Sequence, residues 1–181
     1  MNKLLPGLLQ KGSIQTIAER YKEHIDEVAG IPTSAIRNMH NLIQMQFSDI
    51  SKKVHFQFVN NEPYSYEKIE ELDKDWREGT IKVNCTGNDS LFWGKLYNLQ
   101  FRAIHDYIHC LHRLNFNYYD EVRAYQAQVN FGLTEYGKHI PFLDWELHNK
   151  ILRSEIVYQA AVKTHFNLFH INQKIIISDI F

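Results

Sequence analysis

The sequence predicts an α+β domain, mainly helical, with a small β-sheet set into its first half. Apolar residues recur at the helical period of 3.6 before residue 50 and again after about residue 90. Between these stretches two short segments alternate apolar and polar residues with the period of a strand. The 181 residues are 44% hydrophobic and 23% charged, which suits one domain with one sizeable core. The expected organisation is a single unit over 1–181. It comprises N-terminal helices (1–50), a small sheet with a crossover helix (54–85), and helices carrying the candidate site (90–173).

The first helix is expected in "SIQTIAERYKEHIDEVAG", with Ile14, Ile17, Tyr21, Ile25 and Val28 inward, Ser13 as N-cap and Gly30 as stop. A second follows Pro32, with Ile36, Met39 or His40, Ile43 and Phe47 inward; His40 beside this stripe reads as a packing or surface histidine. Val54, Phe56 and Phe58 then alternate with His55 and Gln57, and Ile81, Val83 and Cys85 repeat the pattern, so Val54–Val59 and Ile81–Cys85 are expected strands. The acidic run "SYEKIEELDKDWREG" between them reads as a helix closed by Gly79. If the two strands are parallel, the crossover is expected to be right-handed. "TGNDS" turns the chain into a helix beginning near Ser90 or Phe92, whose aromatic residues read as core.

The remaining composition excludes several function classes. Lys plus Arg total 20 and Asp plus Glu 21, a net charge of −1, so no global field favours nucleic acid or an anionic membrane. Cys85 and Cys110 form no CxxC pair, which argues against a disulfide framework and for a reducing compartment. The first residues, "MNKLLPGLLQKG", are broken by Pro6 and Gly7 and do not read as a secretory signal. No stretch approaches the roughly 20 apolar residues of a membrane span. The expected setting is therefore soluble and cytoplasmic.

The helix "FRAIHDYIHCLHRLNF" raises the chemical question. Phe101, Ile104, Ile108 and Leu111 form an apolar stripe, while Asn98, His105, His109 and His112 form a polar one beside it. His105 and His109 are four residues apart, so their imidazoles can converge on one cation. With Asp106 they form His-Asp-x-x-His, the zincin motif His-Glu-x-x-His with aspartate in the acidic place. A third ligand is available in Glu121, in the first turn of a helix expected between Asn117 or Asp120 and Gly132. Tyr125 and Gln128 continue its face. The short intervening loop makes the two helices neighbours. In the last long segment His148, Glu155 and Gln159 form a polar stripe within an apolar frame at mixed helical spacing. Glu155 and Gln159 are candidates to hydrogen-bond a metal ligand. His112 reads as a residue facing solvent or hydrogen-bonded behind a ligand, and Cys110 as a buried small hydrophobe.

"NLQFRAIHDYIHC", "FNYYDEVRAYQAQ" and "SEIVYQAAVKTHFNLFHINQ", in that order, resemble a family of mostly uncharacterised phage-encoded zincin-like metalloproteins, over roughly half the chain. The family pattern has an Arg-Ala-x-His-Asp segment ending in a further histidine, then a Glu about a dozen residues later, then a Glu-x-x-x-Gln helix. Many members place the second histidine at i+5 after a glycine. Here His109 stands at i+4 and Cys110 holds the later place. The resemblance implies a zincin-like fold and a phage origin, with the protein in the host-cell cytoplasm or the virion.

The chemistry expected of these residues is that of a zinc-dependent hydrolase, with His105, His109 and Glu121 binding the ion and the fourth position open. Iron or another divalent metal suits the same ligands. The ion would acidify a water, and Asp106 would take the proton or orient His105. Asp is one methylene shorter than Glu, so hydrolysis in general is favoured over peptidase action, although a peptide is one possible substrate. Two alternatives stand beside this reading. One is a non-catalytic metal-binding, virion or host-interaction protein. The other is an HD-type phosphohydrolase, which would need His40 or His55 and Asp144 to converge on the His-Asp pair.

Overall fold

The computed structural model describes residues 11–64, 69–87, 90, 92–167 and 174–178. The start "MNKLLPGLLQ", residues 65–68 of the acidic run and residues 168–173 of the terminal segment lie outside the described residues. Seven α-helices are described: α1 (Lys11–Glu23), α2 (Thr33–Ile50), α3 (Glu70–Arg77), α4 (Gly94–His112), α5 (Tyr118–Tyr136), α6 (Phe142–Leu152) and α7 (Gln159–Phe166). Two strands, β1 (His55–Val59) and β2 (Thr80–Asn84), pair in parallel, with His55 opposite Thr80 and Val59 opposite Asn84. The fold is thus α+β and mainly helical. The parallel pairing bears out the strand, helix, strand reading.

The crossover is compact because Gly79, with φ of +83°, ends α3 and leads directly into β2, while its carbonyl accepts the His55 N–H at 2.8 Å. That left-handed conformation favours glycine. Ile81 and Val83 are fully buried, and α3 and α4 both pack on β2. Helix α4 also packs on α2 and α5. It therefore runs through the middle of the fold, with Ile104 and Ile108 fully buried on its inner face. Trp93 stacks on Phe101 with ring centroids 5.4 Å apart, so these aromatics are core.

Several boundaries differ from the sequence expectation, each for a physical reason. Helix α1 begins at Lys11, so Ser13 lies inside it, and it ends at Glu23. Ile25 is therefore 76% exposed rather than inward. Lys174 Nζ donates to the carbonyls of Lys22 and His24, both at 2.7 Å, and so caps the C-terminus of the helix with a cation. The inward face of α2 is centred on Met39, Leu42, Ile43 and Gln46, with Ile36 and Phe47 only partly buried. Ser90 accepts the Trp93 N–H at 3.1 Å in a turn that precedes α4, which starts at Gly94. At the other end of α4, Leu111 is 43% exposed.

Gly132 does not end α5. It lies within the helix, where a Cβ would stand 2.8 Å from Trp145 Cη2 and 3.0 Å from Gln46 Nε2. The glycine is there for close helix approach. From Phe142 the chain is helical through to Phe166, but Arg153–Tyr158 form a π-helical stretch between α6 and α7. A π turn inserts an extra residue into the repeat. This explains the mixed spacing in that segment. Leu143, expected inward, is 74% exposed in the first turn of α6, next to the equally exposed Phe142. No helix among the described residues is long and apolar enough to cross a membrane.

Candidate metal centre

The centre is built by the α4–α5 hairpin. Helix α4 ends on Arg113 in the left-handed conformation (φ 53°), so that Leu114 N–H donates back to the His109 carbonyl at 3.0 Å. The same turn brings the Leu114 carbonyl over the His109 ring, where it accepts from Nδ1 at 3.0 Å. Asn117 caps α5, accepting the Asp120 N–H at 3.1 Å. Asp120 Oδ2 in return accepts from Asn117 Nδ2 at 2.9 Å and from the Asn115 N–H at 3.1 Å. Phe116 stacks on His109 with centroids 4.4 Å apart. The loop is thus fixed at both ends and in the middle. It presents Glu121, in the first turn of α5, to the histidine face of α4, where the helix N-terminus also favours a carboxylate.

His105 Nε2, His109 Nε2 and Glu121 Oε2 converge. His105 Nε2 lies 3.0 Å from Glu121 Oε2 and 3.0 Å from His109 Nε2, and His109 Nε2 lies 3.5 Å from Glu121 Oε2. Among the described residues these three form the group able to hold a metal ion. His109 is fully buried, while His105 and Glu121 reach the surface with 16% and 13% of their side chains. The i+4 spacing therefore brings the second histidine into the cluster. Cys110, at i+5, is buried elsewhere in the core.

Proton bookkeeping shows what the cluster lacks. A backbone carbonyl only accepts, so His109 carries its hydrogen on Nδ1 and turns a bare Nε2 inward. Gln128 Oε1, 3.3 Å from His105 Nδ1, accepts in the same way in the tautomer that carries the His105 hydrogen on Nδ1. Three acceptor atoms then face one another without a donor, and a cation is needed between them. A proton is one such cation. Burial disfavours charge on His109, but the Glu121 carboxylate outweighs it and raises the His109 pKa. Burial would likewise raise Glu121, but the two imidazoles hold its carboxyl well below the usual range. A divalent ion is the other. Ligand atoms bound at about 2.0–2.1 Å to one tetrahedral zinc stand about 3.3 Å apart. The observed separations of 3.0, 3.0 and 3.5 Å bracket that value.

Asp106 borders the cluster from the neighbouring face of α4. Burial pushes its pKa up to about 7; the His105 charge opposes this, and the carboxylates of Glu62 and Glu121 add to it. One turn earlier Arg102 donates to the carbonyls of Asn84 (3.0 Å), Thr86 (2.8 Å) and Gly87 (2.9 Å), fastening the loop after β2 to α4. Glu155 and Gln159 are hydrogen-bonded to each other at 2.9 Å. Gln128 and the Leu114 carbonyl stand behind the histidine rings. Gln128 was legible as a residue on the Glu121 face, seven positions on. The Leu114 carbonyl, a backbone group, left no mark in the residue types.

The other titratable candidates lie apart from this arrangement. His40 stacks on Tyr97 with centroids 4.0 Å apart, Asp144 accepts from Asn38 at 2.6 Å, and His55 is exposed on β1. His112 is exposed, and both cysteines are free. None of the family models, curated proteins or solved structures compared with the chain matches it.

Proposed function

We propose that His105, His109 and Glu121 bind one divalent ion, zinc in the first instance, and that the protein is a zincin-like metal-dependent hydrolase. The observation that carries this reading is the meeting of His105 Nε2, His109 Nε2 and Glu121 Oε2 within 3.0–3.5 Å, with the Leu114 carbonyl and Gln128 Oε1 beside the two Nδ1 atoms. Two histidines and one carboxylate leave a fourth position open, the arrangement of catalytic rather than structural zinc. When bound, the ion supplies a Lewis acid that lowers the pKa of water. In this reading Asp106, one residue after the first ligand, is the carboxylate that accepts a proton beside it. Gln128 and the Leu114 carbonyl hold the two imidazoles in the tautomer that presents Nε2. A phage origin and a site of action in the host cytoplasm belong to the same proposal and rest on the motif order alone.

Asp106→Asn tests the catalytic part. It removes the base while preserving shape, so the variant is expected to retain the ion and lose turnover by about 10²-fold or more on whichever peptide, amide or phosphoester substrate the wild type cleaves. A wild-type protein that holds zinc stoichiometrically and cleaves none of these classes would favour the non-catalytic metalloprotein reading.

A further inference from the structure

The outer torsion of a histidine side chain is soft, and a site that binds an ion well locks its ligand rings by packing and hydrogen bonds before the ion arrives. One restraint on each imidazole is the group beside its Nδ1, the Leu114 carbonyl for His109 and Gln128 Oε1 for His105. A hydrogen bond at one ring nitrogen still leaves the ring free to rock about that bond. The second restraint is an aromatic face. Phe116 lies on His109 with centroids 4.4 Å apart and planes 28° from parallel, and Phe101 lies on His105 at 6.2 Å and 16°. Both phenylalanines are themselves held. Phe101 is buried and backed by the fully buried Trp93, 5.4 Å away and 11° from parallel, which Phe92 meets edge-on at 4.6 Å. Phe116 belongs to the loop that the Arg113 turn closes at one end and the Asn117 cap at the other.

We infer that Phe101 and Phe116 are positioning residues of the metal centre, each fixing the plane of one imidazole so that the two Nε2 atoms stand ready for an ion. This rests on the metal reading and adds to it two residues that touch no ion. The restraints on each ring act in different directions. The hydrogen bond holds Nδ1 within the ring plane, and the stacked face resists a tilt out of it. The two imidazoles stand 78° to each other with centroids 4.5 Å apart, so a tilt of either swings its Nε2 away from the other and from Glu121 Oε2. A leucine in place of either phenylalanine keeps an apolar neighbour but offers no flat face, and the ring beside it rocks. The cost of ordering that ring is then met when the ion binds instead of when the chain folds.

The test compares the full chain with Phe116→Leu, Phe101→Leu and Phe116→Tyr, reading zinc affinity by competition with a chromophoric chelator and site geometry by the visible absorption of bound cobalt(II). Each leucine variant is expected to bind zinc about three- to tenfold more weakly, the scale of one lost aromatic pair, and to broaden the cobalt bands. Phe116→Tyr keeps the flat face and is expected to stay within about twofold of the wild type. Phe47→Leu is the matched control, because Phe47 is partly buried and stacks at 5.3 Å on Phe56, not on a histidine. It is expected to lose stability and keep its zinc affinity. If Phe101→Leu loses its helical circular dichroism, Phe116→Leu carries the comparison. Unchanged affinity in Phe116→Leu, a Phe116→Tyr protein as weak as Phe116→Leu, or an equal fall in Phe47→Leu overturns the positioning role and leaves the metal site standing. A wild type that takes up neither zinc nor cobalt overturns both.

Discussion

Two histidine–glutamate contacts of nearly the same length occur in this molecule, and only one of them has the makings of a site. His24 Nε2 lies 3.1 Å from Glu27 Oε1, and His105 Nε2 lies 3.0 Å from Glu121 Oε2. Around Glu27 every acceptor has donors. Its carboxylate accepts the Ile177 and Ser178 N–H groups at 2.6 and 2.9 Å and the Ser178 hydroxyl at 2.7 Å, which ties residues 177 and 178 to the segment that follows α1. Around Glu121 the donors run short: with the imidazole hydrogens directed at Leu114 and Gln128, the inward atoms are acceptors that need a proton or a metal ion between them. The difference teaches that a His–Glu distance says little by itself. What marks a cation site is the excess of lone pairs left over once each neighbouring hydrogen bond has been assigned.

The largest effect that would sharpen this contrast is on stability. Glu27→Gln replaces a carboxylate acceptor that serves two backbone N–H groups and a hydroxyl, and is expected to cost about 2 kcal/mol at pH 7. Its response to zinc should match the wild type's. Those donors outweigh the effect of burial and lower the Glu27 pKa to about 2. The stability it contributes is thus present above the unfolded carboxylate pKa and is lost as pH falls from about 4.5 toward 2. Urea titrations from pH 7 to pH 2.5 should show that slope in the wild type and a shallower one in the variant. A Glu27→Gln protein with altered zinc binding would break the separation of the two regions.

Second in size is the effect of the residue behind His105. Gln128→Leu keeps the bulk but removes the acceptor for Nδ1–H, so zinc affinity is expected to fall about 10–100-fold. Competition with a chromophoric chelator measures it. Unchanged affinity would mean that the His105 ring is held by packing against Phe101, with which it stacks at 6.2 Å, and not by the hydrogen bond.

The smallest effect concerns Glu155, buried on the π turn. Burial pushes its pKa up to about 7. A carboxyl whose folded pKa is raised binds its proton more tightly in the folded state, so stability falls as pH rises from about 4.5 to about 7. Glu155→Gln is expected to remove that slope and to be the more stable protein at pH 8, as read by thermal unfolding. Its zinc affinity, measured beside the wild type's, tests whether the Glu155–Gln159 pair supports the ligands.

Much of this arrangement was legible in the sequence. The switch from helical to strand period marked the sheet, and His105, His109 and Glu121 were legible because spacing on a helix and a short loop constrain direction. The polar stripe on the terminal segment was legible too, but not its partners. An inserted π residue changes the facing of everything after it, and residue types do not announce one. Gly132 misled for a related reason: a glycine that ends a helix and a glycine that lets Trp145 come close look alike in a string. The caps that position Glu121 depend on the left-handed turn at Arg113, a residue type that gives no hint of it.

The central claim is that three acceptor atoms meet because an ion belongs between them. Native mass spectrometry of the purified full chain with added zinc, beside Glu121→Ala and His109→Ala, tests it most directly. One zinc per wild-type chain is expected, and none retained by either variant under the same conditions. A wild type that emerges without zinc, or a Glu121→Ala protein that still holds one, would contradict it.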